Sequence, residues 1–535
     1  MSPPAPISTR VPNLAHFATH NARRLAERTA IVFGERSWTW REFDARVSSL
    51  ALALRDMGVV PGDAVLVHSR NGHEILETMF AAFRLGALWV PTNFRLAPAE
   101  VAAMARVAEP RVLLCQSDYP QHAAAVHAAF PDCRLAWMSG DVAAPVPAPS
   151  IAELIEARLG QPMNDAPVER DTPCWLFFTS GTTGSPKGAV LTHGQLGFVI
   201  NNHLCDLLPG LGPEDGALVV APLSHGAGMH QLNVIARGGM AVIPPSQTLE
   251  PEMAFKLIER YRLSNLFTVP TILKRLVEHP AVDTHDHSSL CYVIYAGASM
   301  YEADLHHALD KLGIVLVQYY GLGEVTGNIT VLPRHDHERA ALLARPRSCG
   351  YERTGMQVSV QDESGHELPA GSTGEICVMG PAVFAGYHRN PEANAKAFRD
   401  GWFRTGDIGH MDEGGYLYLT GRASDMYISG GSNVYPREIE ELILSHGAVT
   451  EAAVVGVPDA QWGEVGIAVC VLREGAQLPA AQLQEWLCTR IARYKVPRHV
   501  VMWETLPKSG YGKVPKNLLT EELRRRAPEF FDPPV

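Results

Sequence analysis

Short apolar runs and amphipathic stretches alternate along the first 330 residues of the chain. The run TAIVFG from Thr29 predicts a strand, and apolar residues near helical spacing from Phe43 to Leu54 predict a helix after it. Similar short runs, typical of buried strands, recur at 217–223, 265–271, 291–297 and 314–321. This repeated alternation predicts a layered α/β fold with mostly parallel sheets.

The pattern changes after about residue 350. The stretch QVSVQDESGHELPAGSTGEICVMG, residues 357–380, predicts short strands joined by tight turns, and hence a β-rich subdomain. Residues 425–535 predict a separate small α/β unit, with the helix PREIEELILSHG and the strands EAAVVGVP and GIAVCVLRE. We expect an N-terminal domain over 1–423 and a C-terminal domain over 424–535, in keeping with the length of 535 residues.

Composition and charge narrow the class of protein. Hydrophobic residues make up 46% of the chain and the formal net charge is −11, which indicates a globular protein without a nucleic-acid-binding surface. The nine cysteines are scattered without a C-x-x-C pair, so reduced thiols are favoured over a zinc site or a disulfide framework. No apolar signal core or integral membrane segment is apparent, and a cytoplasmic location is expected.

A loop rich in glycine and hydroxyl residues follows an apolar strand in FFTSGTTGSPKGAVLTH, residues 177–193. Such a loop turns backbone N–H groups and hydroxyls toward an anion, and Lys187 adds a positive charge, so a polyphosphate site is predicted. It is not a Walker A loop, because Lys187 follows Pro186 and precedes Gly188. A surface linker is the alternative, but the flanking apolar runs argue against it.

The stretch TSGTTGSPKGAVLTH resembles the phosphate-binding signature of the adenylate-forming superfamily: acyl-CoA synthetases, peptide-synthetase adenylation domains and firefly-type luciferases. Further stretches follow in the family's order: APLSHGAGM, YAGASM, QYYGLGEVTG, GWFRTGDIG, GRASDMYISGGSNVYPREIE and LPKSGYGKVPK. The resemblance implies an enzyme that joins a carboxylate to AMP, releases pyrophosphate and passes the acyl group to a thiol. It also implies that the small C-terminal domain is mobile.

The resemblance assigns roles to individual residues of the nucleotide site. Tyr320 would stack on adenine, Glu324 would hold Mg²⁺, Asp407 would accept the ribose hydroxyls and Arg422 would reach the ribose or a phosphate. The residues implied to bind ATP or AMP are Thr179, Ser180, Gly181, Thr182, Thr183, Gly184, Lys187, Gly297, Ala298, Ser299, Tyr319, Tyr320, Gly321, Gly323, Asp407 and Arg422.

The same resemblance implies an acid pocket, a thiol site and a catalytic set. Lys513, Glu324 and His225 are implied to be catalytic, although His225 considered alone is typical of a structural histidine. The acyl pocket would be lined by His225, Gly226, Met229, His230, Ala298 and Gly321. The residues implied to contact CoA are Ser429, Gly430, Gly431, Trp462 and Arg498.

Two positions depart from the family's pattern. Gly323 stands where a threonine is usual, which removes a hydroxyl expected near the α-phosphate. Either a neighbour such as Thr179 or Thr182 replaces it, or adenylation is slower. Ser424 stands at the hinge, where the family usually carries Asp or Lys, and Asp425 follows it.

These features predict an ATP-dependent acid–CoA ligase with ATP, Mg²⁺ and CoA as cofactors or co-substrates. Two alternatives stay open: a stand-alone adenylation enzyme that loads a carrier protein, and a non-catalytic nucleotide-binding protein. Small residues in the acyl pocket and the lack of an arginine there favour a medium-chain, aromatic or alicyclic monocarboxylic acid. A homodimer is the default expectation for the oligomeric state.

Overall fold

A computed structural model describes residues 9–144, 146–179, 186–246, 248–298, 300, 302–508 and 514–531. The strands are β1 (Arg10–Val11), β2 (Thr29–Phe33), β3 (Arg36–Thr39), β4 (Ala64–His68), β5 (Leu88–Thr92), β6 (Val112–Gln116), β7 (Arg134–Met138), β8 (Val168–Glu169), β9 (Pro173–Thr179), β10 (Lys187–Thr192), β11 (Gly216–Val219), β12 (Met240–Ile243), β13 (Asn265–Thr268), β14 (Tyr292–Tyr295), β15 (Leu316–Tyr320), β16 (Thr330–Leu332), β17 (Tyr351–Glu352), β18 (Gln357–Gln361), β19 (Gly374–Met379), β20 (Phe398–Arg399), β21 (Trp402–Met411), β22 (Leu417–Arg422), β23 (Tyr427–Ser429), β24 (Ser432–Val434), β25 (Val449–Asp459), β26 (Gly463–Leu472) and β27 (His499–Met502).

The helices follow the strands along the same described ranges. They are α1 (His16–Arg24), α2 (Trp40–Asp56), α3 (His73–Leu85), α4 (Pro98–Ala108), α5 (Pro120–Ala129), α6 (Ile151–Glu156), α7 (His193–Asp206), α8 (Gly226–Ala236), α9 (Pro251–Tyr261), α10 (Pro270–Glu278), α11 (Glu302–Leu312), α12 (Arg339–Ala344), α13 (Pro391–Ala397), α14 (Pro436–Leu444), α15 (Ala480–Cys488) and α16 (Lys516–Arg526). Short 3-10 turns lie at Pro280–Asp283, Gly323–Val325, Arg334–His337, Ala423–Asp425, Arg493–Lys495 and Pro528–Phe530.

The chain forms two compact units. The first contains residues up to Gly297 together with Ala308–Gln357 and Val378–Phe403, and the second contains Ala298–His307, Val358–Cys377 and the residues from Arg404 onward. The grouping places residues 404–423 with the C-terminal part of the chain. The domain boundary expected between residues 423 and 424 stays a prediction.

Two large sheets organise the first unit. A six-stranded sheet has the order β10-β9-β5-β4-β6-β7, and a nine-stranded sheet has the order β17-β16-β15-β14-β13-β11-β12-β2-β3. The strands from β15 to β2 pair in parallel, while antiparallel strands close both edges of the nine-stranded sheet. The carboxyl ends of parallel strands meet at one edge, where α/β proteins usually bind their ligands.

Local sequence explains where the helices of the first unit begin and end. Helix α2 begins at a capping box, in which the Thr39 hydroxyl accepts from the Glu42 N–H and the Glu42 carboxylate accepts from the Thr39 N–H. Helix α3 ends at Gly86, whose φ of 69° is in the left-handed region that glycine adopts without strain. The strand and helix predicted from Thr29 onward are β2 and α2.

The second unit combines strands with helices on two faces. Within it β22 pairs antiparallel with β21, and the long strands β25 and β26 form an antiparallel ladder with β27 beside β26. Alternating residues of β25 point to opposite faces: Val454 packs with Ile439 of α14, whereas Val455 packs with Leu519 of α16. The predicted fold class, α/β with a separate small C-terminal α/β part, is confirmed.

Candidate active site

The ends of the predicted phosphate loop are held together by a strand pair. Thr179, the last residue of β9, lies opposite Lys187, the first residue of β10, in an antiparallel ladder. The ladder fixes the position of both loop ends, and the buried residues Trp175 and Leu191 anchor it in the core. The predicted site residues Ser180, Gly181, Thr182, Thr183 and Gly184 lie outside the described residues.

Glu324 is held next to these loop ends. It lies on the 3-10 turn Gly323–Val325, and its side chain is buried, with 5% of the residue exposed. Carboxylate oxygen Oε1 accepts a hydrogen bond of 3.1 Å from the Thr179 hydroxyl and one of 2.9 Å from the Tyr387 hydroxyl. The predicted metal-binding acid is thus fixed by one side chain from β9 and one from the segment before α13.

The donor set at Glu324 fits Mg²⁺. A carboxylate oxygen is a hard ligand, and Mg²⁺ usually takes only one or two protein carboxylates and fills its other positions with water and phosphate oxygens. Within the described ranges no group of three or more His, Cys, Asp or Glu side chains could hold a metal by itself. The single buried and oriented carboxylate of Glu324 suits a metal ion that takes its other ligands from nucleotide phosphates and water.

The carboxyl edge of the nine-stranded sheet carries further predicted residues. The register pairs Tyr295 with Gln318, so Gly297 and Gly321 follow neighbouring strand ends of β14 and β15. A Cβ built on Gly321 would lie 2.5 Å from the Cα of Gly327, which shows two backbone segments in close approach. Tyr320 ends β15 and is half-buried.

A row of rings extends from Glu324 through the first unit. Phe177 and the predicted gate His225 meet edge to face with centroids 5.1 Å apart. Next to His225, Gly226 abuts the ring of Phe267, and Phe267 stacks on Tyr319 with centroids 6.0 Å apart and planes 18° apart. This row of rings lies beside Glu324, because Gly323, the residue before Glu324, abuts Phe177.

His230 and Met229 lie deeper than the row of rings. The His230 Nε2 is 2.7 Å from Asn265 Oδ1, and only 3% of the residue is exposed. Burial lowers the pKa of His230 to about 4, so the ring is neutral near pH 7 and donates to Asn265. Met229 is 5% exposed on the same helix, α8.

Phe177 explains why Gly323 replaces the family's usual threonine. A Cβ built on Gly323 would lie 2.6 Å from Phe177 Cε1 and 3.0 Å from the methyl carbon of Thr179. A threonine at this position therefore collides with the aromatic ring. Of the two hydroxyls suggested as replacements, that of Thr179 is already directed to Glu324.

In the second unit, Asp407 and Arg422 form one ion pair. They are register partners on β21 and β22, and the Arg422 Nε is 2.9 Å from the Asp407 carboxylate. Asp407 is 7% exposed, while the Arg422 side chain is 46% exposed. The structure thus brings the two predicted ribose residues together.

The predicted thiol residues form a turn on the second unit. Ser429 ends β23, and Gly430 and Gly431 follow with positive φ of 56° and 79°. The Gly430 N–H donates to the carbonyl of Trp462, and the indole ring of Trp462 lies against Gly430. Arg498 forms an ion pair with Asp459 at 3.1 Å. Ala298 and Ser424 are exposed residues of this unit. Ser299 and Lys513 lie outside the described residues.

The sequence did not predict three residues of the first unit that contact the candidate site. Phe177 and Phe267 belong to apolar strands and give no signal that their rings meet site residues. Tyr387 follows Gly386 in AGYHRNPEAN, a stretch with no charged pair or glycine-rich pattern to single it out. Only the packing of the segment 384–388 against Glu324 and β10 identifies Tyr387.

Comparison with known families and proteins agrees with this arrangement. The family model described as AMP-binding enzyme matches residues 18–388, and the one described as AMP-binding enzyme C-terminal domain matches residues 438–513. The chain belongs to the AMP-binding enzyme family. The resemblance to the adenylate-forming superfamily and the enzyme class, an AMP-forming acid–thiol ligase, are confirmed.

Individual relatives match along nearly their whole length. A feruloyl-CoA synthase of Amycolatopsis sp is 37% identical over 96% of this chain and 99% of its own. An indoleacetate–CoA ligase of Aromatoleum aromaticum is 35% identical over 93% of this chain and 96% of its own. The crystal structure of ATP-bound MatB from Rhodopseudomonas palustris superposes with a TM-score of 0.85 at 30% identity, covering 96% of this chain and 99% of that one.

Membrane-spanning helices are long and predominantly apolar. Within the part of the chain that the structure covers, no helix combines the length and the apolar character that crossing a membrane requires.

Proposed function

We propose that this ligase activates a planar aromatic monocarboxylic acid as its acyl-AMP and transfers the acyl group to CoA. The observation that carries the proposal is the row of rings beside Glu324, in which His225, Phe177 and the Phe267–Tyr319 stack follow one another. Flat aromatic faces suit a flat aromatic substrate, because ring pairs add about 0.5–1.5 kcal/mol beyond the area they bury.

Glycine and neutral groups in this region support the same substrate class. Gly226 brings only backbone against the tip of the Phe267 ring, and the neutral His230–Asn265 pair offers no charge to a second carboxylate. The two relatives described above are named for feruloyl and indoleacetate, which are both aryl-substituted acids. An aromatic acid is therefore favoured over a fatty acid or a dicarboxylic acid.

The reaction proceeds in two displacements. A carboxylate oxygen attacks the α-phosphorus of ATP, the bond to the β-phosphate oxygen breaks, and pyrophosphate leaves. The thiolate of CoA then attacks the acyl carbon, and AMP leaves with the oxygen that came from the acid. Both steps bring anions together, so cations and donors near the developing charge lower the barrier.

The chain's own residues divide this work. We assign Lys187 and Lys513 to the charge on the phosphates and the carboxylate, and Glu324 to the metal, which would neutralise phosphate charge when bound. Tyr320 and Gly297 would border the adenine, while Asp407, oriented by Arg422, would accept the ribose hydroxyls. The turn at Gly430 and Gly431 would admit the narrow pantetheine arm, and Ser424 would be the hinge.

A panel of acids tests the substrate class. The purified enzyme is supplied with ATP, Mg²⁺ and CoA, and thioester formation is measured for hydroxycinnamic and indolyl acids, for straight-chain fatty acids and for dicarboxylic acids. We expect the best aryl acid to exceed the others by about fivefold or more in kcat/KM, since each ring contact accounts for about a factor of two to twelve and the row offers more than one. A fatty or dicarboxylic acid as the best substrate would overturn the proposal. A parallel arm with a carrier protein in place of CoA checks the acceptor.

A further inference from the structure

Tyr387 connects two parts of the nucleotide site that are far apart in sequence. Its hydroxyl donates to Glu324 Oε1 at 2.9 Å, and its ring centroid lies 5.4 Å from the ammonium nitrogen of Lys187. Lys187 begins the strand that leaves the phosphate loop, and Glu324 is the proposed metal-binding acid. A single side chain thus contacts both the cation and the anion that would face the phosphates.

The backbone around Tyr387 is held on three sides. The Ala385 and His388 N–H groups donate to the carbonyls of Val190 and Gly188, so the segment 384–388 runs beside β10 as an added strand. The Phe384 N–H donates to the Glu324 carbonyl at 2.8 Å. Since this segment is hydrogen-bonded to both β10 and the Glu324 turn, it fixes their separation.

Asn394 of α13 clamps Tyr387 from the other side. Its side-chain oxygen accepts from the Tyr387 N–H at 2.6 Å, and its amide nitrogen donates to the Tyr387 carbonyl at 3.1 Å. Gly386, with a φ of 119°, allows the chain to pass close to this amide. The ring of Tyr387 also packs edge to face on Phe384, with centroids 4.8 Å apart. These contacts hold the hydroxyl in one place.

The hydrogen bonds at Glu324 leave one carboxylate oxygen available. Thr179 and Tyr387 both donate to Oε1, and among the described residues no side chain is found to donate to Oε2. Two donors on one oxygen fix the plane of the carboxylate and direct the other oxygen away from them. Partners of this kind commonly orient a metal ligand and change metal affinity when they are removed.

We propose that Tyr387 is a positioning residue for the metal–nucleotide complex: its hydroxyl orients the Glu324 carboxylate for Mg²⁺, while its ring face supports the Lys187 ammonium. This rests on the proposed function, in which Glu324 binds the metal that accompanies ATP. The role is distinct from catalysis, because Tyr387 would act through Glu324 and Lys187 and would not touch the reacting atoms.

The test measures ATP binding to the full-length protein by calorimetry at a series of Mg²⁺ concentrations, in the absence of acid and CoA. Tyr387→Phe removes the hydroxyl and keeps the ring. We expect it to raise the Mg²⁺ concentration for half-maximal enhancement of ATP binding by about tenfold. ATP affinity measured in a chelator should be unchanged. Tyr292→Phe is the matched control, because it also loses one hydroxyl hydrogen bond, to the Pro209 carbonyl, and should behave as the wild type.

Two further variants separate positioning from folding. In a Glu324→Gln background, adding Tyr387→Phe should change the Mg²⁺ requirement no further, whereas a general structural defect would add to it. Tyr387→Leu removes the ring as well, so ATP affinity should fall even in the chelator because Lys187 loses its support.

The outcomes distinguish this inference from the proposed function. A Mg²⁺ requirement of Tyr387→Phe within about twofold of the wild type, or full additivity with Glu324→Gln, would overturn the role of Tyr387. Wild-type protein that binds ATP without any effect of Mg²⁺ would instead count against Glu324 as the metal site, and so against that part of the proposed function.

Discussion

Arg422 and Asp407 face each other across two antiparallel strands, with the guanidinium Nε 2.9 Å from the carboxylate. The acid is almost completely buried and the arginine is half exposed, so the carboxylate is held in a fixed direction at the surface of the second unit. This arrangement suits an acceptor for two sugar hydroxyls, since an ionised carboxylate can accept several hydrogen bonds.

Replacing Asp407 by Ala should therefore weaken recognition of the ribose. Hydrogen bonds to a charged group contribute about 1.5–3 kcal/mol, so we expect KM for ATP to rise at least about tenfold. The measurement compares ATP with 2′,3′-dideoxy-ATP in acid-dependent pyrophosphate exchange. Wild-type enzyme should prefer ATP strongly, and Asp407→Ala should show little preference. A variant that still discriminates as the wild type does would remove Asp407 from the ribose site.

Restoring the family's threonine at position 323 should harm this enzyme. Its Cβ would lie 2.6 Å from Phe177 Cε1, so Gly323→Thr must displace the ring or the Glu324 turn. We expect kcat/KM to fall by about tenfold or more, in line with the 1–3 kcal/mol cost of overpacking. Combining Gly323→Thr with Phe177→Ala should recover part of the lost kcat/KM. Steady-state kinetics of the wild type, the two single variants and the double variant give the double-mutant cycle that measures this recovery. If Gly323→Thr alone has wild-type activity, the steric explanation of the departure is wrong.

Adding a methyl group at Gly226 should narrow the space for the acid. The new Cβ would be 2.6 Å from the tip of the Phe267 ring, so that the ring, which stacks on Tyr319, must shift. We expect Gly226→Ala to raise KM for aryl acids by about tenfold while leaving KM for acetate, supplied as a small test acid, unchanged. Gly197→Ala is the control, because nothing lies within 4 Å of its added Cβ. Equal effects on large and small acids would contradict the pocket assignment.

Buried histidines should make the enzyme sensitive to acid. Burial lowers the pKa of His68 to about 3. It lowers the pKa to about 4 for four other histidines: His73, His193, His230 and His337. The unfolded chain titrates near pH 6.5, so it binds more protons than the folded one between pH 6.5 and 4. The free energy of unfolding should therefore fall as the pH falls through this window, by roughly 1.4 kcal/mol for each ring at about pH 5.5.

Glu74 provides the control for this pH dependence. Burial raises its pKa to about 7, so the folded chain binds the extra proton between pH 4.5 and 7 and this contribution has the opposite sign. Thermal unfolding between about pH 7.5 and 5.5 should show Tm falling by several degrees for the wild type, and falling more steeply for Glu74→Gln. A Tm that stays constant or rises toward acid would contradict the assignment of these rings as neutral.

Much of the fold was predictable because it follows from local patterns. The alternation from Thr29 onward predicted β2 and α2, and the apolar runs near residues 265, 291 and 314 are β13, β14 and β15. Glu324 and Asp407 could be singled out because the family's motifs surround them. The predicted roles of the site residues remain predictions for the experiments above.

What the sequence could not supply depends on contacts between distant segments. Tyr387 is 63 residues from Glu324, and only the folding of segment 384–388 along β10 brings the two together. Likewise, the sequence offers no reason for the glycine at position 323, where the family usually has threonine. The structure supplies one, because the ring of Phe177, on strand β9, occupies the space that a larger side chain would need. Such relationships depend on tertiary packing, which no periodicity or spacing encodes.

The central claim, activation of an acid as its acyl-AMP, is tested most directly by following the oxygen atoms of the acid. An aryl acid labelled with ¹⁸O in its carboxylate is turned over with ATP, Mg²⁺ and CoA, and the nucleotide product is analysed by mass spectrometry. The account predicts that AMP gains one labelled oxygen from each acid consumed. Unlabelled AMP, or ADP with the label in inorganic phosphate, would contradict it.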